Sequence, residues 1–208
     1  KRFQIALNHL SKNHLDSDLF VISGDLTHHG QLQSYMKLKE MLDNAKLPKH
    51  LYPKLILGNH DNRKTFKNFF TKIPLDSSGF VQYEYDYKEK RFIFMDTNLP
   101  KKHQGYYCEK RMEWLEKKLN LANLEKKNIY LFMHHNPIAL AEEEGDYLGI
   151  QQKKELQRLF LKFSNSIKHI FFGHQHLSVS GNILGIPFSA PRSISHPLVT
   201  NYSKKYRL

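Results

Sequence analysis

Cysteine, long apolar runs and secretory signals are scarce or missing in this sequence of 208 residues. The single cysteine, Cys108, cannot form an internal disulfide bond, which excludes a disulfide-stabilised scaffold and is typical of a reducing compartment. No apolar run approaches the roughly 20 residues that a membrane-spanning helix needs, and no basic segment followed by an apolar one resembles a secretory signal. We therefore expect a cytoplasmic protein with no membrane association.

Acidic side chains are also in the minority, with 20 Asp and Glu against 32 Lys and Arg, which gives a net charge of +12. A basic surface favours anionic partners such as phosphate esters, nucleic acid or acidic lipid headgroups. The basic residues are scattered, however, and their adjacent pairs lie at the edges of predicted elements. A solvated surface is the favoured interpretation, so nucleic acid is a possible but not a favoured partner. Neither charge nor composition indicates an oligomeric state.

Apolar periodicity predicts helices that alternate with short strands. The predicted helices cover residues 3–15, 31–45, 109–121 and 151–163, with a further helical stretch from Phe66, and the predicted strands cover 19–23, 55–57, 81–87, 92–95, 129–133 and 167–172, followed by a hairpin over 179–189. This order predicts a mixed α/β protein, with antiparallel hairpins added to parallel strands. We expect one domain over residues 1–208, a two-sheet β-sandwich flanked by helices, with 140–149 as its most mobile loop.

Four short motifs with potential metal ligands follow the apolar runs. They are Gly24-Asp25, Gly58-Asn59-His60-Asp61, His134-His135 and Gly173-His174-Gln175-His176. Each comes where a predicted strand ends, and ligands in open α/β sheets collect outside the carboxyl ends of strands. The motifs supply imidazole, carboxylate and amide groups but no thiolate. Such ligands suit Zn²⁺, Fe, Mn²⁺ or Co²⁺ and argue against a structural zinc finger.

Taken one at a time, these motifs are weak to moderate evidence, because Gly-Asp turns and paired histidines are common in structural roles. Adjacent histidines at a strand exit point apart, so only one of His134 and His135 is expected to reach a metal. We favour His134 and leave His135 beside the site or in the core, as a candidate for contacting substrate. His174 and His176 are spaced to point to one side. The joint occurrence of all four motifs favours a metal site.

In this order the motifs resemble those of the calcineurin-like metallophosphoesterase superfamily. Further segments are similar to its bacterial class III cyclic-nucleotide phosphodiesterase branch, namely Leu26-Thr27-His28-His29-Gly30, Asn62-Arg63, Met95-Asp96-Thr97, Trp114-Leu115-Glu116 and Gly185-Ile186-Pro187. The resemblance runs from about residue 3 to residue 198, nearly the whole chain. It implies a centre of two metal ions bridged by Asp25, of which one ion also binds Asn59, His134 and His174, and the other binds His176.

One part of the family pattern is absent from this sequence. The second ion in the family also takes an aspartate and a histidine from a D-x-H motif on the first strand, and its position here would fall before Lys1. His9 and His14 are poor substitutes, because they lie on or just after a predicted helix. We expect that the first strand precedes the given residues, and a one-metal or degenerate variant is the alternative.

The resemblance also implies a mechanism. Paired cations about 3.5–4 Å apart acidify a bridging water and clamp phosphoryl oxygens, so a metal-bound hydroxide would attack phosphorus in line. His60 would protonate the leaving oxygen or stabilise the transition state, and Asp61 would orient His60. Arg63 could hold a phosphate oxygen with two hydrogen bonds, and an arginine exposed on the surface is the alternative.

These implications lead to an expected function. We expect a metal-dependent phosphodiesterase that hydrolyses a small phosphodiester, either a cyclic nucleotide or a glycerophosphodiester. The net charge keeps a nuclease as an alternative. The missing D-x-H motif keeps a degenerate, non-catalytic binder of phosphate esters as another.

Overall fold

Two sheets and five helices make up the computed structural model, which describes residues 1–140 and 147–195. The strands are β1 (Val21–Ile22), β2 (Lys54–Leu55), β3 (Tyr83–Tyr87), β4 (Lys90–Phe94), β5 (Asn128–Phe132), β6 (Ile167–Phe171), β7 (Val179–Ile183) and β8 (Ile186–Ala190). The helices are α1 (Arg2–Asn13), α2 (Leu32–Asn44), α3 (Arg63–Phe69), α4 (Glu109–Leu124) and α5 (Lys153–Lys162), with a short 3₁₀ helix over Lys49–Leu51.

The larger sheet has six strands in the order β3-β4-β5-β6-β8-β7. The pairs β4-β5, β5-β6 and β6-β8 are parallel. The hairpins β3-β4 and β7-β8 are antiparallel and close the two edges. β1 and β2 form a separate parallel pair. The mixed α/β class predicted from the sequence is confirmed.

The larger sheet is buried on both faces, because alternate side chains of its central strands enter two different cores. Phe92, Phe94 and Phe132 face a core that they share with β2, α2 and α3. Ile93 and Leu131 face the opposite core, which is closed by α4 and α5. Parallel strands are normally covered on both sides in this way.

The smaller sheet packs on the first of these cores. The buried hydroxyl of Tyr83, on β3, donates a hydrogen bond of 2.9 Å to the carbonyl oxygen of Leu55, on β2. β1 and β2 are shorter than the predicted strands, but Ile56 still donates its N–H to the carbonyl oxygen of Ile22. The pairing therefore continues toward the loops that carry the second and first motifs.

Helices α1, α2, α4 and α5 begin and end within a few residues of their predicted bounds. α3 is capped by Asn62, whose side-chain oxygen accepts a hydrogen bond of 3.0 Å from the N–H of Thr65. The predicted mobile loop lies mainly outside the described residues. None of the helices in residues 1–140 and 147–195 combines the length and the apolar composition that a membrane span requires. The single domain over the whole chain and the cytoplasmic location stay predictions.

Candidate metal centre

The four motifs lie in loops that follow β1, β2, β5 and β6. Three of their residues have left-handed backbone conformations, with φ of 52° at Asp25, 69° at His174 and 55° at His176. Such φ values are uncommon outside glycine and are retained where the surrounding structure fixes them, often at functional sites. The backbone at these three residues therefore departs from the extended conformation of the strands before them.

The side chains of four motif residues converge on one point. The Oδ1 atom of Asn59 lies 3.1 Å from Nε2 of His134 and 3.0 Å from Nδ1 of His174. The same Nε2 atom of His134 lies 3.4 Å from Oδ2 of Asp25. A carboxylate, an amide oxygen and two imidazoles from four separate loops thus present potential ligands to a common position.

His134 shows why this position suits a cation. Its Nδ1 lies 2.7 Å from the carbonyl oxygen of Ser23, which can only accept, so Nδ1 carries the proton. In the neutral ring, the Nε2 lone pair then faces the oxygen atoms of Asp25 and Asn59. Electron-rich atoms in this arrangement repel one another unless a proton or a metal ion lies between them.

The pKa directions agree with that geometry. Burial lowers the pKa of His134, but the charge of Asp25 outweighs burial, and the net pKa is raised. Burial likewise raises the pKa of Asp25, but the charge of His134 and hydrogen bonds outweigh it and hold the pKa well below its usual range. The site therefore favours positive charge, and its oxygen and nitrogen donors fit a first-row metal ion.

Two glycines allow the loops to approach one another. A Cβ atom on Gly24 would overlap the ring of His134, and one on Gly58 would overlap the carboxylate of Asp25. Gly24 also has a φ of 104°, which side chains rarely adopt. The glycines of the first two motifs are therefore required by the packing of the ligands.

His135 is buried and does not face the same point. Its Nε2 donates to the carbonyl oxygen of His103 over 3.1 Å, and its Nδ1 accepts from the hydroxyl of Thr97 over 2.7 Å. Burial is the main cause that lowers its pKa well below the usual value, so the ring is neutral. One nitrogen each of His134, His135 and His174 lie within 4.8 Å, but both nitrogens of His135 are already bonded.

These bonds distinguish the adjacent histidines. Nε2 of His134 faces Asn59 and Asp25, whereas both nitrogens of His135 are bonded within the protein, and the choice of His134 as ligand stays a prediction. The candidate role of His135 in contacting substrate is not supported, because its side chain is fully buried.

Asp61 joins the loops after β1 and β2. Its carboxylate accepts hydrogen bonds from the N–H groups of Leu26 (3.0 Å) and Gly58 (2.9 Å) and from the hydroxyl of Tyr35 (2.9 Å). Burial is the main cause that raises its pKa to about 6, although these hydrogen bonds oppose the shift. Asp61 therefore fixes the loop of the first motif against the loop of the second.

The prediction that Asp61 orients His60 is wrong, because its carboxylate is directed at these donors. Nδ1 of His60 instead donates to the carbonyl oxygen of His28 over 2.9 Å. The backbone N–H of His60 donates to Oδ1 of Asp25 over 3.0 Å. The loop after β1, which carries Asp25 and His28, therefore holds both the backbone and the ring of His60.

Arg63 is also placed differently from its predicted role. Its guanidinium donates to both carboxylate oxygens of buried Asp96, over 2.6 and 2.8 Å, and to the carbonyl oxygen of Asn98 over 2.8 Å. These bonds take the fork-shaped pair of donors that a phosphate would need. Arg63 is thus a structural side chain, and contact with a phosphate oxygen is not supported.

His176 lies half-buried on the loop that carries His174. Burial, followed by the charge of His134, lowers the pKa of His174 to about 3, and the charge of His176 adds to this effect. The charge of His176 is therefore felt by His174, and the binding of a second ion by His176 stays a prediction.

Some residues of the site were not identified from the sequence, namely Ser23, His28, Tyr35, Thr97 and His103. Most of them bind the site through a backbone carbonyl oxygen or through a hydrogen bond to a residue distant in the sequence. Contacts of these two kinds leave no recognisable motif in the sequence. His28 was part of a motif that resembles the family, but nothing in that motif indicates that its carbonyl oxygen binds His60.

The candidate ligands thus lie at the carboxyl ends of parallel strands in an α/β fold, the usual position of a ligand site in such sheets. The sequence model of the calcineurin-like phosphoesterases matches residues 2–178. This chain belongs to that family, as its motifs predicted.

Two named relatives and one solved structure agree with this placement. The chain is 29% identical over 198 residues to a probable cyclic nucleotide phosphodiesterase of Rhodopseudomonas palustris, covering 94% of this chain and 70% of that protein. It is 28% identical over 160 residues to a probable glycerophosphodiester phosphodiesterase of Arcobacter nitrofigilis, covering 76% and 56%. A dimetal phosphatase from Danio rerio has the same fold, with a TM-score of 0.72, 14% identity and coverage of 92% and 76%.

Proposed function

We propose that this protein is a metal-dependent phosphodiesterase that hydrolyses a small phosphodiester, of the cyclic nucleotide or glycerophosphodiester type. The observation that carries the proposal is the convergence of Asp25, Asn59, His134 and His174 on one position, with the lone pair of His134 directed into it. Membership of the calcineurin-like phosphoesterases supports this reaction class. The names of the two relatives support the two substrate types.

In this proposal the four converging side chains hold one metal ion, and Asp25 and His176 contribute to a second. Zn, Fe, Mn and Co ions are all compatible with nitrogen and oxygen ligands of this kind. A bound metal ion supplies Lewis acidity, which activates water and neutralises the charge of the phosphoryl group.

We assign His60 the role of proton donor to the leaving oxygen. The carbonyl oxygen of His28 fixes the Nδ1 proton of His60, so Nε2 would carry the second proton of the imidazolium form and give it to the leaving oxygen, leaving the ring neutral. The bond from its backbone N–H to Asp25 keeps that ring next to the ligands. Asp61 acts indirectly, by holding the two loops that carry Asp25 and His60.

Hydrolysis of bis(p-nitrophenyl) phosphate tests the reaction class. We expect turnover with added Mn²⁺, loss of turnover after chelation, and recovery when Mn²⁺ is restored. Asp25→Asn should lose turnover, whereas Asp43→Asn should not, because Asp43 lies exposed on α2 and pairs with Lys39. Equal activity of Asp25→Asn and the unchanged protein would contradict the proposal.

Comparison of natural substrates tests the finer part of the proposal. Cyclic nucleotides and glycerophosphodiesters should be hydrolysed with higher kcat/KM than single-stranded DNA. Preferential cleavage of DNA, with binding that weakens steeply as salt increases, would favour the nuclease alternative that the net charge of +12 keeps open.

A further inference from the structure

We propose that His103 is a positioning residue, which holds the amide of Asn59 so that its oxygen atom, and not its nitrogen, faces the metal centre. The inference rests on the proposed metal site. It assigns a role to a residue that lies outside all four ligand motifs, in the loop between β4 and α4.

The hydrogen bond between these two side chains has only one possible direction. Nδ2 of Asn59 lies 3.0 Å from Nδ1 of His103. An amide nitrogen can only donate, so Nδ1 of His103 must accept. His103 therefore binds Asn59 as the tautomer that carries its ring proton on Nε2 and a lone pair on Nδ1.

The opposite end of the same amide points into the site. Oδ1 of Asn59 is the atom that faces His134 and His174, at 3.1 and 3.0 Å. Rotation of the amide by half a turn would replace this oxygen with an NH₂ group, which has no lone pair for a cation. An acceptor at His103 favours the orientation that can bind metal.

The loop that carries His103 is anchored, although the His103 side chain is exposed. The carbonyl oxygen of His103 accepts the Nε2 proton of buried His135. Thr97 fixes the other nitrogen of His135. The buried imidazole of His135, which follows β5, therefore fixes the position of the His103 backbone.

A second anchor follows two residues later. Gly105 forms a bridge with the segment around Ile150, in which its N–H donates to Gly149 and its carbonyl oxygen accepts from Gln151, over 3.2 and 2.9 Å. A Cβ atom on Gly105 would lie 2.6 Å from Cγ of His135, so only glycine allows this approach. Both anchors fix the position from which the ring of His103 reaches Asn59.

His103 also lies next to the proposed proton donor, with its ring centroid 5.6 Å from that of His60. A substitution at His103 can therefore change turnover for a reason unrelated to Asn59. For this reason the test must measure metal affinity and the Asn59 amide directly.

The experiment titrates Mn²⁺ into metal-free protein by isothermal titration calorimetry, with three substitutions compared to the unchanged chain. His103→Phe keeps a ring but removes the acceptor, and we expect roughly 10- to 100-fold weaker binding of the tighter ion. His103→Asn places an amide oxygen where Nδ1 lies and should restore most of the affinity. His50→Phe replaces an exposed histidine in the 3₁₀ helix and should leave affinity unchanged.

A second measurement needs no metal and covers the case in which His103→Phe is unstable. In the ¹⁵N-labelled, metal-free protein, the side-chain NH₂ of Asn59 should exchange slowly with solvent, both in the unchanged chain and in His103→Asn. Fast exchange in the unchanged chain would show that His103 does not hold this amide and would overturn the positioning role. Unchanged affinity in His103→Phe, or equal losses in His103→Phe and His103→Asn, would overturn the positioning role while the metal site stands. Failure of the unchanged chain to bind Mn²⁺ would overturn both proposals.

Discussion

His134 donates its Nδ1 proton to the carbonyl oxygen of Ser23 over 2.7 Å, although the two residues lie 111 positions apart in the sequence. This bond leaves Nε2 as the only nitrogen of the neutral ring that can bind a metal. In the adjacent histidine, His135, both ring nitrogens form hydrogen bonds inside the protein. The two adjacent histidines are thus bonded differently, and of the two only His134 directs Nε2 toward Asn59 and Asp25.

Substitution of these two histidines should therefore have different effects. His134→Ala should abolish binding of the tighter Mn²⁺ ion, measured by calorimetry. His135→Ala should lower the free energy of unfolding by about 3 kcal/mol, because it opens a cavity and leaves buried partners without hydrogen bonds. Urea denaturation of the metal-free proteins measures the second effect. A large loss of stability in His134→Ala, with tight metal binding retained, would reverse the assignment.

Asp61→Asn should destabilise the protein by about 2 kcal/mol, because an amide can accept at only one of the two oxygen positions that now bind backbone and hydroxyl donors. Tyr35→Phe removes a single donor to that carboxylate and should cost about 1 kcal/mol. Denaturant unfolding of metal-free protein compares the two. If Asp61→Asn retained full stability but lost turnover, the carboxylate would act in the reaction and not as a tie between loops.

The sequence predicted more of the ligands than of the side chains that hold them. Helices and strands were recognisable because apolar periodicity is local, and the ligand motifs because each is contiguous. The partners of Asp61 and Arg63 could not be predicted, since Tyr35 and Asp96 approach them only after the two sheets pack. Asp96 even lies in a segment that resembled the family, but one sequence shows no pairing between distant positions. The same limit hid the bond between Asn59 and His103.

Arg63 offers a direct comparison between its predicted and observed roles. Arg63→Met should lower the free energy of unfolding by about 3 kcal/mol, because it removes the closer of the two arginines paired with the buried carboxylate of Asp96 and leaves only Arg111, at 3.8 Å. If Arg63 instead bound phosphate, the same substitution would raise KM and leave stability nearly unchanged. Denaturant unfolding and steady-state kinetics on one preparation separate the two outcomes.

A pH dependence is expected at the hairpin of β3 and β4, away from the metal centre. Hydrogen bonds from Arg91 (2.7 and 2.8 Å) are the main cause that lowers the pKa of Asp86 from its ordinary value of 3.8. A carboxyl group with a lowered pKa in the folded protein contributes stability above its ordinary pKa and loses it as pH falls through the lowered value.

Asp86→Asn should therefore cost stability near neutral pH and little in acid. Because Asp86 is 38% exposed and screened by solvent, we expect about 0.5 kcal/mol at about pH 7, shrinking toward zero in acid, as pH falls below the ordinary value of 3.8. Glu89→Gln, in the exposed turn of the same hairpin, is the control and should show a smaller difference between the two conditions. Urea denaturation at both pH values measures the effect. A difference that grew on acidification would mean that the folded protein holds the Asp86 proton more tightly than the unfolded chain, opposite to the sign expected from its bonds with Arg91.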